Sequence, residues 1–453
     1  MAPSQAEERL GRWPVLNWTW FTELSVVHGR LHVLLLTGAL FGLLGLLLLR
    51  RTPTWWTRSL PLSVLSTLGL LALGWLVLDV TKPWPDGVPG TVAAWIGVGL
   101  LALALLALGW RRQRWWVRAS AVAAALFAVV GAAVGVDTVY GSFPTVGSVL
   151  QMPPYGTVAA DEVLRAPVER TTAPVPGRPL SQAWQAPAQL RSAGAVIHVH
   201  IPATRSGFAA RAAWVYVPPA YFAADRPLLP VLMLIGGQPG GPRDWLDGGR
   251  LAQRMDAWAS AHGGLAPVVV MPDALGSPIA NPMCLDSALG RTDTYLAQDV
   301  PAWVVSSLQV DPDHSHWAVG GFSFGGTCAL QLAVAHPDLF PTFIDESGQQ
   351  APTLGDRSST VAAAFSGNEA AYAAQDPLTE LASRRRTGSA GYLVVGAQDP
   401  AYQLQARAVA TATTAAGISV TLIELPGGHS WSVWGAGLDR AMPWLSTRMG
   451  LTP

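Results

Sequence analysis

The sequence predicts an α-helical transmembrane region followed by an α/β domain, in which a mostly parallel central sheet is flanked by helices. Two observations indicate this arrangement. Four long apolar runs fill the first third of the 453 residues, and each approaches the roughly 20 residues that a helix needs to cross a bilayer. From about residue 191 to the C-terminus, strand-like segments alternate with helix-like ones, which is typical of an α/β sheet.

The composition supports the membrane assignment. Hydrophobic residues make up 50% of the chain and charged residues only 13%, so part of the apolar surface must face lipid. The four runs cover residues 31–49, 60–78, 90–110 and 119–136. Buried helices of a soluble core are the alternative, but all four would then have to be hydrophobic on every side.

The chain is expected to have four parts: an N-terminal segment (1–30), four transmembrane helices (31–140), a linker (141–190) and an α/β domain (191–453). A cleavable signal peptide is not favoured, because residues 1–30 contain Glu7, Glu8 and Glu23 and no early apolar core. The linker is rich in Pro and Ala and shows no sustained periodicity, so it is predicted to run over the surface.

Basic residues near the ends of the runs predict the orientation, because they are retained on the cytoplasmic side. They are concentrated after the first and third runs: Arg50, Arg51, Arg58, Arg111, Arg112, Arg114 and Arg118. The loop after the second run has only Lys82 beside Asp79 and Asp86, and Asp137 follows the fourth run. A multi-pass protein of the cell membrane is therefore expected, with both termini and the α/β domain outside the cytoplasm.

Trp residues cluster at the ends of the runs: Trp55, Trp56, Trp84, Trp110, Trp115 and Trp116. An aromatic belt at the level of the lipid headgroups explains them most simply. A groove for a lipid substrate is the alternative.

Several segments are predicted as strands. Residues 195–201 and 212–217 alternate like an opening hairpin, and further strands are expected at 231–235, 268–271, 317–320, 342–344, 392–395 and 419–424. His198 and His200 point to one face of the first strand, where two such residues can bind a metal. A third ligand does not stand out nearby, so solvent-facing strand residues are the preferred interpretation. Neither a metal nor a cofactor is expected.

The pentapeptide Gly321-Phe322-Ser323-Phe324-Gly325 fits the motif Gly-x-Ser-x-Gly. Its position between a predicted strand and a predicted helix gives the motif its meaning. In that setting the backbone turns so sharply that a Cβ at either Gly would clash, and the serine lies at a helix N-terminus that stabilises a developing anion. We therefore expect Ser323 to be a catalytic nucleophile and the domain to have the α/β-hydrolase fold.

A serine becomes an effective nucleophile only when a base removes its proton. His429 lies in a Gly-Gly-His-Ser-Trp segment just after the last predicted strand, where the α/β-hydrolase template has its catalytic histidine. His262 and His336 are poorer candidates, because they lie within or at the end of predicted helices.

A carboxylate must orient the imidazole and balance its charge. Asp399 directly follows the strand predicted at 392–395, and the chain order Ser, Asp, His matches the template. Its rivals are Asp345 and Glu346, which follow the preceding predicted strand. Asp399 could instead be a helix N-cap.

Two backbone N–H groups are needed to bind the oxyanion of the tetrahedral intermediate. Phe324 follows the nucleophile, and Gln238 lies in a Gly-rich loop after the strand at 231–235. These two residues are the predicted donors, although the Gly-rich loop could be a plain turn.

Cys284 and Cys328 are the only two cysteines. An oxidising exterior would allow them to pair, which would hold the loop at 283–284 beside the nucleophile. Two unrelated buried thiols are the alternative, because the sequence does not give their distance.

The chain resembles the bacterial esterase family that contains esterase D and the antigen 85 mycolyltransferases. The resemblance covers about residues 194–445 and rests on the segments 321–326 and 336–340, and above all on His-Ser-Trp-Ser-Val-Trp at 429–434. It implies that Ser323 and His429 are catalytic and that Gln238 and Phe324 occupy the oxyanion positions.

The sequence also departs from antigen 85 proteins. They carry an Asp and an Arg that help to hold trehalose, where this chain has Gly236 and Pro239. They are also freely secreted, whereas four apolar runs precede the domain in this chain. The resemblance therefore does not extend to trehalose as the acceptor.

The leading hypothesis is a serine esterase or acyltransferase that acts on acyl esters of cell-envelope lipids. The expected partners are the lipid bilayer and an acyl-ester substrate, and nucleic acid is not expected, because the net charge is zero. A non-catalytic envelope scaffold is the alternative, but the complete Ser, His and acid set argues against it. A transport or sensing module is a third possibility, although the runs lack the charged residues that membrane functional sites usually have.

Overall fold

The structure is a computed structural model, and it describes residues 19–49, 52–81, 87–110 and 113–453. Contacts within the chain divide it into two compact units. The first contains most of the apolar helices and ends at Pro153, and the second contains Pro154–Pro453. The described helices of eight residues or more are α1 (Gly29–Leu48), α2 (Leu60–Thr81), α3 (Gly90–Leu108), α4 (Trp115–Tyr140), α5 (Leu251–Ala261), α6 (Val300–Ser307), α7 (Phe324–Ala335), α8 (Arg357–Phe365), α9 (Pro400–Ala415) and α10 (Trp431–Arg448).

Four helices of the described chain are long and apolar enough to cross a membrane: Gly29–Leu48, Trp55–Thr81, Gly90–Leu108 and Trp115–Tyr140. They confirm the four predicted apolar helices, with ends that differ by a few residues. The second and fourth of these helices begin before Arg58 and Arg118, so these two residues are helical and not in loops. The Arg118 guanidinium lies 5.4 Å from the centre of the Trp110 ring. Nine residues used in the sequence argument lie outside the described residues: Glu7, Glu8, Arg50, Arg51, Lys82, Trp84, Asp86, Arg111 and Arg112.

Small residues bring α1, α3 and α4 close together in the first unit. A Cβ atom on Gly42 of α1 would lie 2.3 Å from the carbonyl oxygen of Ala124 in α4. A Cβ atom on Gly135 of α4 would lie 2.2 Å from the ring of Trp95 in α3. Packing of this kind stabilises helices in lipid, where no hydrophobic effect drives their association.

The second unit is built on an eight-stranded sheet. Its strands are β1 (Ala195–Val199), β2 (Ala213–Val217), β3 (Val231–Ile235), β4 (Val268–Met271), β5 (Ala318–Phe322), β6 (Thr342–Glu346), β7 (Ala390–Gly396) and β8 (Ser419–Leu425). The spatial order is β1-β2-β4-β3-β5-β6-β7-β8. Strands β3 to β8 are parallel, and β2 is antiparallel to both β1 and β4. The carboxyl ends of the six parallel strands therefore share one edge of the sheet.

Successive side chains of a strand point to opposite faces of the sheet, and a buried core lies on each face. In β3, Leu232 and Leu234 face a cluster that contains residues of α5 and α10. The other residues of this strand, such as Met233, face a second cluster with residues of α6, α7 and α9. Because both faces are covered, β3 and β4 are apolar throughout.

The prediction of a surface linker is wrong for residues 154–190. Val163 and Leu180 are completely or almost completely buried in the core of the second unit, and the Val158 N–H donates to the Val196 carbonyl of β1. This segment contains short helices (Ala160–Leu164, Leu180–Ala183) and the short strand Arg170–Thr172. Its buried apolar residues are too widely spaced to produce a helix or strand period, so the sequence pattern did not reveal them.

Candidate active site

Ser323 occupies a tight turn between β5 and α7. Its backbone has φ +53° and ψ −122°, a conformation that non-glycine residues rarely adopt and that tends to occur at functional sites. A Cβ atom on Gly321 would lie 2.3 Å from the backbone of Gly325, and one on Gly325 would lie 2.2 Å from the Ile235 carbonyl oxygen. Other backbone atoms therefore lie so close to residues 321 and 325 that only glycine fits at these two positions. The Ser323 N–H donates to the Glu346 carbonyl oxygen at 2.8 Å, which fixes the turn to β6.

Two hydrogen bonds join Ser323, His429 and Asp399. The Nε2 atom of His429 lies 2.9 Å from Ser323 Oγ, and its Nδ1 atom lies 2.9 Å from Asp399 Oδ2. With the ring proton on Nδ1, that N–H donates to the carboxylate and Nε2 accepts from the serine hydroxyl. The structure thus brings together three residues that follow β5, β7 and β8, although 106 residues separate Ser323 from His429. Their catalytic roles remain predictions.

Aromatic side chains hold the imidazole from two sides. The Tyr402 ring lies 4.2 Å from the His429 ring at an angle of 32°, and Trp434 meets the imidazole edge-on at 5.0 Å. Trp434 also stacks on Phe322, the residue before the nucleophile, at 4.5 Å. A role for Tyr402 was not predicted from the sequence. Its position three residues after Asp399, in the first turn of α9, is the only signal that would have identified it.

The rival acids do not reach the imidazole. Asp345 and Glu346 lie within β6 and not after it, because the strand continues two residues beyond its predicted end. The Asp345 carboxylate accepts the Gly348 N–H at 2.7 Å, and burial raises the pKa of this carboxyl to about 7. Burial raises the pKa of Glu346 well above its ordinary value, and neither of its carboxylate oxygens has a hydrogen-bond partner among the described residues.

Three other histidines have partners outside the proposed triad. His336 Nε2 lies 2.8 Å from Asp293 Oδ1, and this hydrogen bond raises the pKa of His336. The Nδ1 atom of His262 contacts the Trp258 carbonyl, and the His262 ring stacks on the Trp258 ring. His198 packs on Trp214, with ring centres 4.4 Å apart. In the described parts of the chain, three or more His, Cys, Asp or Glu side chains do not gather at any point where they could hold a metal ion.

The predicted oxyanion donors lie at the same edge of the sheet as the nucleophile. Phe324 is the first residue of α7, and N–H groups of a first helical turn have no partner within the helix. Gln238 lies three residues after the end of β3. Its loop approaches the nucleophile strand closely, because a Cβ atom on Gly237 would lie 2.5 Å from the Phe322 ring.

Polar contacts fix the Gly-rich loop, residues 236–241, which we call the oxyanion loop. Asp244 accepts the Gly241 N–H at 2.8 Å, and Arg211 donates to the Gly240 carbonyl at 3.0 Å. Arg211 is itself held by two hydrogen bonds from its guanidinium to the buried Asp273. Burial raises the pKa of Asp244 to about 7. The position of this loop therefore depends on Asp244 and on the ion pair between Arg211 and the buried Asp273.

Comparison with known proteins identifies the family. Residues 210–445 match the model of a family described as "Putative esterase". A relative from Corynebacterium glutamicum, an uncharacterized protein, is 33% identical over 401 residues, which are 86% of this chain and 89% of that protein. The chain belongs to this esterase family. Membership confirms the prediction of a serine hydrolase of the esterase or acyltransferase class, and the strand order confirms the α/β-hydrolase fold.

Two other similar proteins share less of their sequence with this esterase. The protein named diacylglycerol acyltransferase/mycolyltransferase Ag85A, from Mycobacterium tuberculosis, is 27% identical over 193 residues. The match covers 36% of this chain and 56% of Ag85A. A solved S-formylglutathione hydrolase from Agrobacterium tumefaciens is 19% identical, with a TM-score of 0.47, and its match covers 58% of this chain and 100% of that chain.

The structure joins the two cysteines of the esterase domain in a disulfide. Cys284 lies in the loop before α6, and Cys328 lies in α7, five residues after Ser323. Both residues are almost completely buried. A covalent link therefore connects the helix that follows Ser323 to a loop 44 residues earlier in the chain.

Proposed function

We propose that this chain is a membrane-anchored serine esterase or acyltransferase. Its catalytic domain faces the outside of the cell membrane and acts on acyl esters of cell-envelope lipids. The observation that carries the proposal is the pair of 2.9 Å contacts that link Ser323 through His429 to Asp399.

The reaction proceeds through an acyl-enzyme. Ser323 Oγ attacks the ester carbonyl while His429 Nε2 takes the hydroxyl proton, and the negative charge of Asp399 stabilises the resulting imidazolium. The Phe324 and Gln238 N–H groups bind the oxyanion. His429 then donates its proton to the leaving alcohol. Water or a second alcohol gives a proton to His429 and attacks the acyl-enzyme. His429 then returns this proton to Ser323 Oγ as the acid or the new ester is released.

The four apolar helices support a membrane anchor. Arg residues between the first and second and between the third and fourth helices support a cytoplasmic position for those loops. An external catalytic domain is supported by the Cys284–Cys328 disulfide, because disulfides persist in oxidising compartments.

Two observations support a lipid as the acyl donor. The anchor keeps the catalytic domain near a bilayer, where amphiphilic esters are concentrated. The relative Ag85A bears the name of an enzyme that transfers acyl groups to or from lipids. Trehalose is not proposed as the acceptor, because Gly236 and Pro239 have no side chains that could bind a sugar in the way Asp and Arg can.

A membrane-impermeant fluorophosphonate probe tests the activity and the orientation together. Intact cells that produce the full chain are treated with the probe, and the labelled residue is identified by mass spectrometry. We expect labelling of the wild type and of Ser306→Ala, which changes an exposed serine. The Ser323→Ala variant is expected to remain unlabelled and to lose ester hydrolysis.

Two outcomes would contradict the proposal separately. Full labelling of Ser323→Ala would show that another residue is the nucleophile. Labelling of the wild type only after the cells are lysed would place the domain on the cytoplasmic side and leave the esterase assignment intact.

A further inference from the structure

The loop of residues 276–291, which we call the bridge loop, contacts the oxyanion loop directly. The Gly240 N–H donates to the Pro278 carbonyl at 2.9 Å. The side-chain amide of Gln238 donates to the Ile279 carbonyl at 3.0 Å. The bridge loop thus holds the oxyanion loop on both sides of Pro239.

The same loop is bonded to the nucleophile helix. Cys284 forms the disulfide with Cys328 of α7, and Gln331, one turn further along α7, donates to the Met283 carbonyl at 3.0 Å. Met283 and Cys284 have φ values of +60° and +53°. Such left-handed conformations are unfavourable in residues other than glycine and persist only where the surroundings enforce them.

The bridge loop has further contacts, most of them in its second half. Asp286–Ser287 pairs with Gly290–Arg291, the Ala288 N–H donates to the Ala364 carbonyl, and Arg291 donates to the Arg205 carbonyl. Met283 and Leu285 belong to a small apolar cluster with Ala364 that is separate from the two main cores. Asn281 adds a hydrogen bond from its side chain to the Thr353 carbonyl at 3.1 Å. Residues 277–281, which make both contacts to the oxyanion loop, are not buried, and exposed segments of this kind open locally at a low free-energy cost. The disulfide is the covalent constraint at the buried end of this segment.

We propose that the Cys284–Cys328 disulfide is a positioning element of the reaction. Through the bridge loop it holds the oxyanion loop, and with it the Gln238 N–H, at a fixed distance from Ser323. The two cysteines do not touch the substrate. This inference rests on the proposed function, because it concerns the oxyanion formed in that reaction.

The expected effect differs from that of a general loss of stability. Removal of one oxyanion donor costs about 10²–10³ in kcat, so a displaced donor is expected to lower kcat/KM for an ester about 10–100-fold. A thionoester forms a negative sulfur in place of the oxyanion, and sulfur gains little from N–H donors. The ratio of kcat/KM for an ester to that for its thionoester therefore reports on the oxyanion site.

The experiment uses the full chain in detergent micelles with 4-nitrophenyl butyrate and the matching thionoester. The Cys284→Ala/Cys328→Ala double variant removes the disulfide, and Gln238→Met removes the side-chain bond to Ile279 while keeping the backbone N–H. Both are expected to lower the ester-to-thionoester ratio about 10-fold or more, as a displaced donor should. The control is Ile418→Ala, which truncates a buried core residue and is expected to lower the unfolding temperature without changing the ratio.

The outcomes separate this inference from the proposed function. An unchanged ratio in a folded double variant, with an active wild type, would overturn the positioning role alone. If the double variant does not fold, an unchanged ratio in Gln238→Met would overturn it. A wild type that neither hydrolyses esters nor labels at Ser323 would overturn both proposals.

Discussion

Replacement of Asp399 by Asn tests the proposed site most directly, because it changes one charge and almost no volume. Asp399 accepts from His429 Nδ1 at 2.9 Å, and the side chains of the two residues are only 10% and 23% exposed. Water therefore has little access to replace the carboxylate. An Asn in this place can present either its oxygen or its NH₂ group to Nδ1.

Both orientations of the Asn side chain impair the base. If the NH₂ group donates to Nδ1, the ring proton must be on Nε2, which then cannot accept the Ser323 proton. If the amide oxygen accepts from Nδ1, the ring keeps its tautomer but loses the negative charge that stabilises the imidazolium. In serine hydrolases this change lowers kcat by about 10⁴, and a decrease of 10³–10⁴ corresponds to about 4–5 kcal/mol in the activation free energy.

The matched control is Asp345→Asn. Asp345 is also buried and lies on a neighbouring strand, but its carboxylate accepts from the Gly348 N–H. Steady-state hydrolysis of a 4-nitrophenyl ester by the full chain in micelles gives kcat for both variants. We expect Asp345→Asn to change kcat by less than about tenfold, because it does not alter the proposed triad. Equal losses in the two variants, or an Asp399→Asn enzyme within tenfold of the wild type, would refute the reasoning.

Two further predictions concern stability and the nucleophile turn. Burial raises the pKa of Asp345 from its ordinary value to about 7, so the folded chain retains a proton that the unfolded chain loses between about pH 4 and pH 7. This group therefore makes the free energy of unfolding decrease as the pH rises through that window, by up to about 4 kcal/mol. Asp345→Asn should reduce the difference between the unfolding temperatures at pH 5 and pH 8, and an unchanged difference would argue against it. Gly325→Ala should abolish fluorophosphonate labelling, because its Cβ would lie 2.2 Å from the Ile235 carbonyl oxygen. The control is Gly388→Ala, which should label normally, because its Cβ would meet none of the described atoms within 4 Å. Normal labelling of Gly325→Ala would contradict the steric argument.

The three members of the proposed triad could be predicted because each follows a strand. Ser323, Asp399 and His429 come shortly after β5, β7 and β8, and the sequence marks these strands by continuous apolar runs or β-rich segments. The carboxyl ends of parallel strands meet at one edge of the sheet. A correct assignment of the strands is therefore enough to bring these residues together, without knowledge of any loop.

The sequence pattern failed where tertiary contacts overrule local preference. Asp and Glu are depleted in strands, so the prediction ended β6 at residue 344 and placed Asp345 and Glu346 in a loop. Both are strand residues and both are buried. The packing of residues 154–190 on the second unit was missed for a similar reason, because isolated apolar residues such as Val163 and Leu180 carry no periodic signal.

The segment His-Ser-Trp-Ser-Val-Trp can identify the family because its residues pack in the core and also contact the proposed site. Trp431 and Trp434 are three residues apart and lie on the same side of α10. Both pack on the Phe322 ring, at 4.4 and 4.5 Å, and Trp434 also contacts His429. A change at either Trp would therefore move the helix that follows the proposed base relative to the strand that precedes the proposed nucleophile. The distance between His429 and Ser323 is thus a product of core packing, which explains why so short a segment carries so specific a resemblance.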